Sequence, residues 1–313
     1  MTKNSASTWV RALIVVVAGI ALAGLAGCGE SSATDDGGTL EVVATTNIVG
    51  DLVSVVGGER VRVETLMGPG VDPHLYKASA GDVRILRDAE AIFYNGLELE
   101  GKLSDLLGDL DDGRPVVAVA EGIPEDRLLD VGRGQFDPHV WFSVPLWQEA
   151  AEAAADGLIA ADPDGEQDYR QGLADYISEL EALDADVRER VASVPERQRV
   201  LVTSHDAFGY FGSEYGFEVV AIQGTSTVTE ATTADIERVA TAIADSALPA
   251  VFIESSVPRQ TIDAVLASAA SRGAVAEVGG QLFGDAAGAA DTPEGTYLGM
   301  VRHNTTTITE ALR

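Results

Sequence analysis

Between residues 165 and 194, apolar side chains fall at Tyr169, Leu173, Tyr176, Ile177, Leu180, Leu183, Val187 and Val191, with Asp, Glu and Arg on the intervening positions. Steps of three and four draw a single apolar stripe along a helix. No Gly or Pro interrupts the run from Leu173 to Val194, and Pro163 with Gly165 marks its start. At 1.5 Å per residue the helix would be roughly 45 Å long, more than the depth of one small domain. On both sides of it the pattern changes to short β-branched runs alternating with helical periods. Strands are predicted at 40–46, 61–67, 91–94 and 115–120 before it, and at 199–204, 217–222, 250–255 and 274–278 after it. Helices are predicted at 48–56, from Ser79 with Asp82 as its capping-box partner, around 103–107, and at 146–160, 207–215, 233–246, 258–272 and 296–312. Strand–helix alternation in each half predicts parallel sheets with right-handed crossovers. The expected fold is α/β: two parallel-sheet lobes, 39–163 and 197–313, joined by one long rigid helix, 164–196. Ligands of such sheets bind outside the carboxyl ends of the strands, which places a site in the cleft between the lobes.

The first residues have a different purpose. Lys3 and Arg11 precede an apolar run at 12–25, too short for a comfortable membrane span, and Leu25-Ala26-Gly27-Cys28 follows. Residues 1–27 therefore read as an export signal with a lipobox, and Cys28 as the lipidated first residue of the mature chain. Residues 28–38 form a polar tether. Cys28 is the sole cysteine, so neither a disulfide nor a thiolate metal site is available. The expected location is extracytoplasmic, lipid-anchored to the cell membrane.

Composition narrows the partners. Asp and Glu number 50 against 21 Lys and Arg, a formal charge of −29. That balance excludes nucleic acid, whose phosphates need a basic face.

The histidines carry the chemistry. There are four, His74, His139, His205 and His303. Two end the tripeptides Asp72-Pro73-His74 and Asp137-Pro138-His139, in which proline stiffens the loop before the imidazole. His205 ends an apolar strand, where α/β sheets place ligand contacts. Three of four in such positions read as a metal site, with His303 a surface or packing residue. Asp285, which follows the 274–278 strand off the same edge of the second lobe, is the candidate fourth ligand. Imidazole nitrogen suits zinc, copper, iron or nickel, and a carboxylate also suits manganese. Glu254, at another strand end, is a candidate partner for a ligating histidine.

At this point the chain resembles the solute-binding lipoproteins of bacterial zinc and manganese ABC importers, the cluster 9 receptors. The resemblance rests on Thr45-Thr46-Asn47-Ile48, Gly70-Val71-Asp72-Pro73-His74-Leu75-Tyr76, Phe93-Tyr94-Asn95-Gly96-Leu97-Glu98-Leu99-Glu100, Asp137-Pro138-His139-Val140-Trp141, Thr203-Ser204-His205-Asp206-Ala207-Phe208-Gly209-Tyr210-Phe211 and Ile253-Glu254-Ser255-Ser256. It implies two lobes on a single long helix and a metal held between them by the residues matching His74, His139, His205 and Asp285. It also implies delivery of the ion to an ABC permease with its ATPase. Three imidazoles and one carboxylate favour Zn2+; the absence of histidine between Glu100 and Gln135, where zinc receptors of this kind often carry a His-rich loop, keeps Mn2+ as the alternative. Adhesion, sometimes ascribed to such lipoproteins, would be an added role. A zinc-dependent hydrolase is the competing class, but no His-Glu-x-x-His occurs and a fourth protein ligand leaves no open position for water. The expectation is a monomeric, non-enzymatic receptor.

Overall fold

The apolar runs before residue 120 pair into one sheet because each is flanked by a helix long enough to carry the chain back. The structure is a computed structural model, and it describes residues 38–110 and 113–313; the export signal and Cys28 lie outside them. Strands β1 (Leu40–Thr46), β2 (Val61–Met67), β3 (Ala91–Tyr94) and β4 (Val116–Ala118) form a parallel sheet in the order β2-β1-β3-β4. Helices α1 (Asn47–Gly57), α2 (Ala80–Asp88) and α3 (Ser104–Asp109) make its connections. Ser79 and Asp82 close the capping box of α2 from both sides. The charged, Gly-rich stretch after β4, expected to be a loop, contains a two-stranded antiparallel ribbon, β5 (Asp130–Gly132) and β6 (Gln135–Phe136).

Helix α4 (Val144–Ala161) leads into the strut, α5 (Glu166–Ala192), whose 27 residues span roughly 40 Å. The predicted stripe is the buried face: Tyr169, Tyr176, Leu180, Leu183, Val187 and Val191. The second lobe follows with β7 (Val200–Thr203), α6 (Gly209–Tyr215), β8 (Glu218–Ala221), α7 (Thr233–Ser246), β9 (Ala250–Glu254), α8 (Gln260–Ser271), β10 (Glu277–Leu282) and α9 (Tyr297–Ala311). β7 pairs with β8 and β9 with β10, all parallel, and the two pairs lie side by side through β7 and β9.

One strand differs from expectation. The last strand starts at Glu277, three residues later than the apolar pattern placed it, and runs through Gly279-Gly280 with a bulge. The alanines at 274 and 276 flank Val275, which is 87% exposed, so the apolar run is a surface turn. The two glycines belong to the strand because the side chains of Ala311, Ala250 and Phe252 crowd Gly279, and Thr307 crowds Gly280.

The parallel sheet of each lobe is covered on both faces. Alternate residues of β1, β7 and β9 (Val42, Leu201 and Phe252) enter one core that also holds Leu180 of α5 and Ile308 of α9, and so spans both lobes. Val43 faces a second core under α2 and α3, and Val202 with Val251 a third under α7 and α8. The close approach of α1 to α5 is made at Gly172, where a Cβ would collide with the Val56 carbonyl. Because the central core runs unbroken from lobe to lobe, the lobes cannot swing apart without exposing it.

A buried carboxylate of α1 also reaches across that boundary. The Asp51 carboxylate of α1 accepts a 2.8 Å hydrogen bond from the Tyr297 amide, at the start of α9. Burial pushes the Asp51 pKa up to about 6, and Glu179 on α5 adds to the rise, against the opposing effect of the Tyr297 hydrogen bond. A folded-state value above the unfolded one means that the native state binds more protons, so this group's stabilising contribution is full below about pH 4 and is lost as pH rises through 6. Asp51→Asn keeps an acceptor for Tyr297 and removes the charge. The variant should be more stable than the parent at pH 8, by at most on the order of 2–3 kcal/mol, and the gain should shrink to nothing at pH 4. Thermal unfolding at the two pH values measures it.

Candidate metal centre

Four loops at strand ends converge between the lobes. His74 lies in the turn after β2, His139 just after the β5–β6 ribbon, His205 two residues beyond β7 and Asp285 three beyond β10. All four are buried, at 4%, 0%, 0% and 1% exposure. Each offers one donor atom within 4.8 Å of the others. His74 Nε2 is 3.3 Å from His139 Nε2, and Asp285 Oδ1 is 3.3 Å from His139 Nε2 and 3.1 Å from His205 Nε2. Donors about 2.0–2.1 Å from a tetrahedral zinc would stand about 3.3 Å apart, so these separations fit one ion. His303, by contrast, sits on α9 with Nε2 3.0 Å from the Gln281 carbonyl oxygen, as a packing residue.

The Asp-Pro-His tripeptides do more than stiffen the chain. In both, the histidine backbone N–H donates to the aspartate two residues before it, at 2.9 Å to Asp72 and 3.0 Å to Asp137. Asp137 Oδ1 also lies 2.6 Å from His139 Nδ1, which turns Nε2 towards the other three residues. Asp72 instead accepts from the Thr227 hydroxyl of the second lobe, at 2.6 Å. For His205 the orienting group is Glu254, the last residue of β9. Its Oε1 accepts from the His205 amide at 2.9 Å, and its Oε2 lies 2.7 Å from Nδ1, off the line of a well-formed hydrogen bond.

The pKa shifts follow from these partners. Burial, helped by the neighbouring rings of His139 and His205 and opposed by Asp285, pulls His74 down to about 3. Burial also opposes charge on His139, but Asp137 and Asp285 overcome it and hold the ring up at about 9. At His205 burial is outweighed by Asp285 and Glu254, and the pKa stands well above the usual range. Burial likewise works against an ionised Asp285, but His205 and His139 keep it well below the usual carboxylate range. Burial thus dominates at His74, and the facing carboxylates dominate at His139 and His205.

Further residues support these four without a signal in the histidine pattern. Glu100, buried beneath the first lobe's loops, accepts from the Thr45 hydroxyl and the amides of Asn95 and Gly96. Asn95 donates in turn to the Pro138 carbonyl next to His139. Asp137 could have been found in the repeated tripeptide; Asn95 and Glu100 were visible only within the 93–100 run that carries the resemblance, with no assigned role. Trp141 packs edge-on to the His139 ring and donates through Nε1 to the Gly284 carbonyl at 3.1 Å, joining the His139 and Asp285 loops. Trp147 donates to Tyr176 of the strut.

A surface depression of about 350 Å3, lined by His74, Leu97, Glu98, Phe136, Pro138 and Ser226, opens onto the His74 side of the cluster. A larger one, about 830 Å3, lies along β8 and α7 and contains no histidine.

Residues 42–311 match the protein family described as zinc-uptake complex component A, periplasmic. The chain belongs to this family. The manganese-binding lipoprotein MntA of Bacillus subtilis is 45% identical over 291 residues, covering 92% of this chain and 95% of that one. The zinc-binding protein TroA of Treponema pallidum is 46% identical over 284 residues, with 91% and 92% covered. The solved structure of the Treponema protein superposes with a TM-score of 0.86, over 88% of this chain and 99% of the other. Within the family two similarly distant relatives thus carry different metals in their names.

Gly284 shows how tightly the Asp285 loop is seated. A Cβ there would collide with Glu254 Oε2 and press on His205 Cε1. Gly284→Ala should cost about 1–3 kcal/mol in thermal unfolding of the metal-free protein. In a double-mutant cycle, shortening the obstacle with Glu254→Asp should recover part of that loss, whereas strictly additive losses would contradict the clash.

Proposed function

We propose that this chain is a lipid-anchored extracytoplasmic receptor that captures one divalent transition-metal ion and passes it to an ABC permease and its ATPase. His74, His139, His205 and Asp285 would be the ligands and Zn2+ the favoured cargo. The observation that carries the reading is the convergence of four buried donors, from four separate loops of both lobes, within 4.8 Å of one another. Three imidazoles with one carboxylate form a donor set that zinc takes readily. Four protein ligands close such a site, which suits capture and release and leaves no position for a catalytic water. Asp137 and Glu254 fix the rings of His139 and His205, so that little ordering remains when the ion arrives. The anchor would be lipid on Cys28; no helix among the described residues is long and apolar enough to cross a membrane. We take the lobes as 39–163 and 197–313, with 164–196 as the link.

Manganese is the second reading, favoured by the name of the Bacillus relative; it keeps the same four residues.

Calorimetric titration of the metal-stripped chain from Gly29 onward decides between them. One-to-one zinc binding that manganese cannot displace, abolished by His205→Ala and by Asp285→Ala, is expected. Preferential manganese binding would reassign the cargo, and binding of neither ion would sink the receptor reading. Asp137→Asn and Glu254→Gln, which keep the size of the side chains, should each weaken affinity about 10- to 100-fold.

A further inference from the structure

The stretch Thr45-Thr46-Asn47-Ile48 supplies no donor to the cluster, yet Asn47 reaches the loop that does. Thr46 caps α1 by accepting from the Val49 amide at 3.2 Å, which fixes Asn47 as the first helical residue at the lobe boundary. Its side-chain amide then pairs twice with the backbone of one residue of the other lobe. Nδ2 donates to the Ala287 carbonyl and Oδ1 accepts from the Ala287 amide, both at 3.0 Å. One turn along the same face of α1, Asp51 accepts from the Tyr297 amide at 2.8 Å. Helix α1 thus grips the segment after Asp285 at both ends, Ala287 and Tyr297. Between them the segment is folded on itself, with the Gly288 amide donating to the Glu294 carbonyl at 2.7 Å.

Asp285 differs from His74 and His139 in having no proline before it; its neighbours are Gly284, Ala286, Ala287 and Gly288, none with a polar side chain to hold the loop. The pair of hydrogen bonds from Asn47 falls two residues away and, with Trp141 on the Gly284 carbonyl, supplies that hold from outside. A two-point match to the N–H and C=O of one residue sets both the direction and the register of the backbone, which one hydrogen bond does not.

We propose that Asn47 is a positioning residue for Asp285, and that the Asn47–Asp51 face of α1 is a clasp that governs how fast a bound cation leaves. The inference rests on the receptor reading above. In it, a lobe pair joined through one continuous core releases its ion by freeing the Asp285 loop, and Asn47 is the contact that must break.

The test uses the full chain solubilised in detergent, with Asn47→Ala and Asn47→Asp. The second variant keeps the acceptor for the Ala287 amide but cannot donate to its carbonyl. Zn2+ or Mn2+ is loaded and its release into excess chelator is followed by stopped flow. In parallel, hydrogen exchange at Ala287 is measured on the metal-free protein. Asn47→Ala should release the ion about 10- to 100-fold faster, and Asn47→Asp by an intermediate factor. Exchange at Ala287 should accelerate in Asn47→Ala while the β1 and β7 amides stay protected. Unchanged Ala287 exchange, or release within twofold of the parent despite faster exchange, would overturn the proposal; should Asn47→Ala not fold, the same criteria apply to Asn47→Asp. If the parent binds neither ion the receptor reading fails, and the exchange experiment still decides whether Asn47 fixes the loop.

Discussion

Everything in this molecule is arranged around charged and polar groups that have been taken out of water at the lobe boundary. Three imidazoles and the carboxylates of Asp137, Glu254 and Asp285 lie within a few side-chain widths of one another, all buried. An isolated charge there would be prohibitive. It is tolerable because the groups compensate one another: Asp137 stands against His139, Glu254 against His205, and Asp285 against both. Remove the partnership and burial wins, as it does at His74, the one ring with no carboxylate at its Nδ1 and the one whose pKa falls.

Such a cluster persists only if the elements bearing it do not drift, and the strut provides that. The buried stripe of α5 lies in the same core as β1, β9 and α9, so the two sheets are fixed through shared apolar contacts instead of a flexible linker. Polar contacts across the boundary add register to that rigidity: Asp72 with Thr227, Trp141 with Gly284, Asn47 with Ala287. Each joins a loop that carries a cluster residue to the opposite lobe, or to the loop of another cluster residue.

Much of this was legible in the residues. The period of α5 and the strand–helix alternation specify the fold, because one buried stripe and two-sided sheets leave few other ways to hide that many apolar residues. Strand ends and the doubled Asp-Pro-His tripeptide marked three donors, since backbone stiffness is encoded locally. What was illegible depends on tertiary contact. The 274–278 strand was displaced because Ala and Val read alike in a turn and in a strand, and only the crowding at Gly279 and Gly280 settles where the strand lies. Glu254 could be weighed but not assigned, because its partner is 49 residues away in sequence. Asn47 looked like an ordinary helix start; its bond partner is 240 residues distant.

The same distinction between local and distant encoding bears on how the site works. His74 and His139 are held by their own tripeptides, within three residues of chain, and His205 by a strand end with Glu254 behind it. Asp285 has no such local device, and its loop is held by first-lobe contacts, Trp141 on the Gly284 carbonyl and Asn47 on Ala287. A perturbation that loosens the boundary by a fraction of an ångström leaves the three imidazoles where their own loops hold them, but costs Asp285 the two hydrogen bonds at Ala287. Since Asp285 Oδ1 is the atom that stands close to both His139 and His205, its departure would open the cluster without any large rotation of the lobes. A rigid strut and a loosely tethered carboxylate are therefore compatible: the first confines motion to loops, and the second makes a small loop motion sufficient.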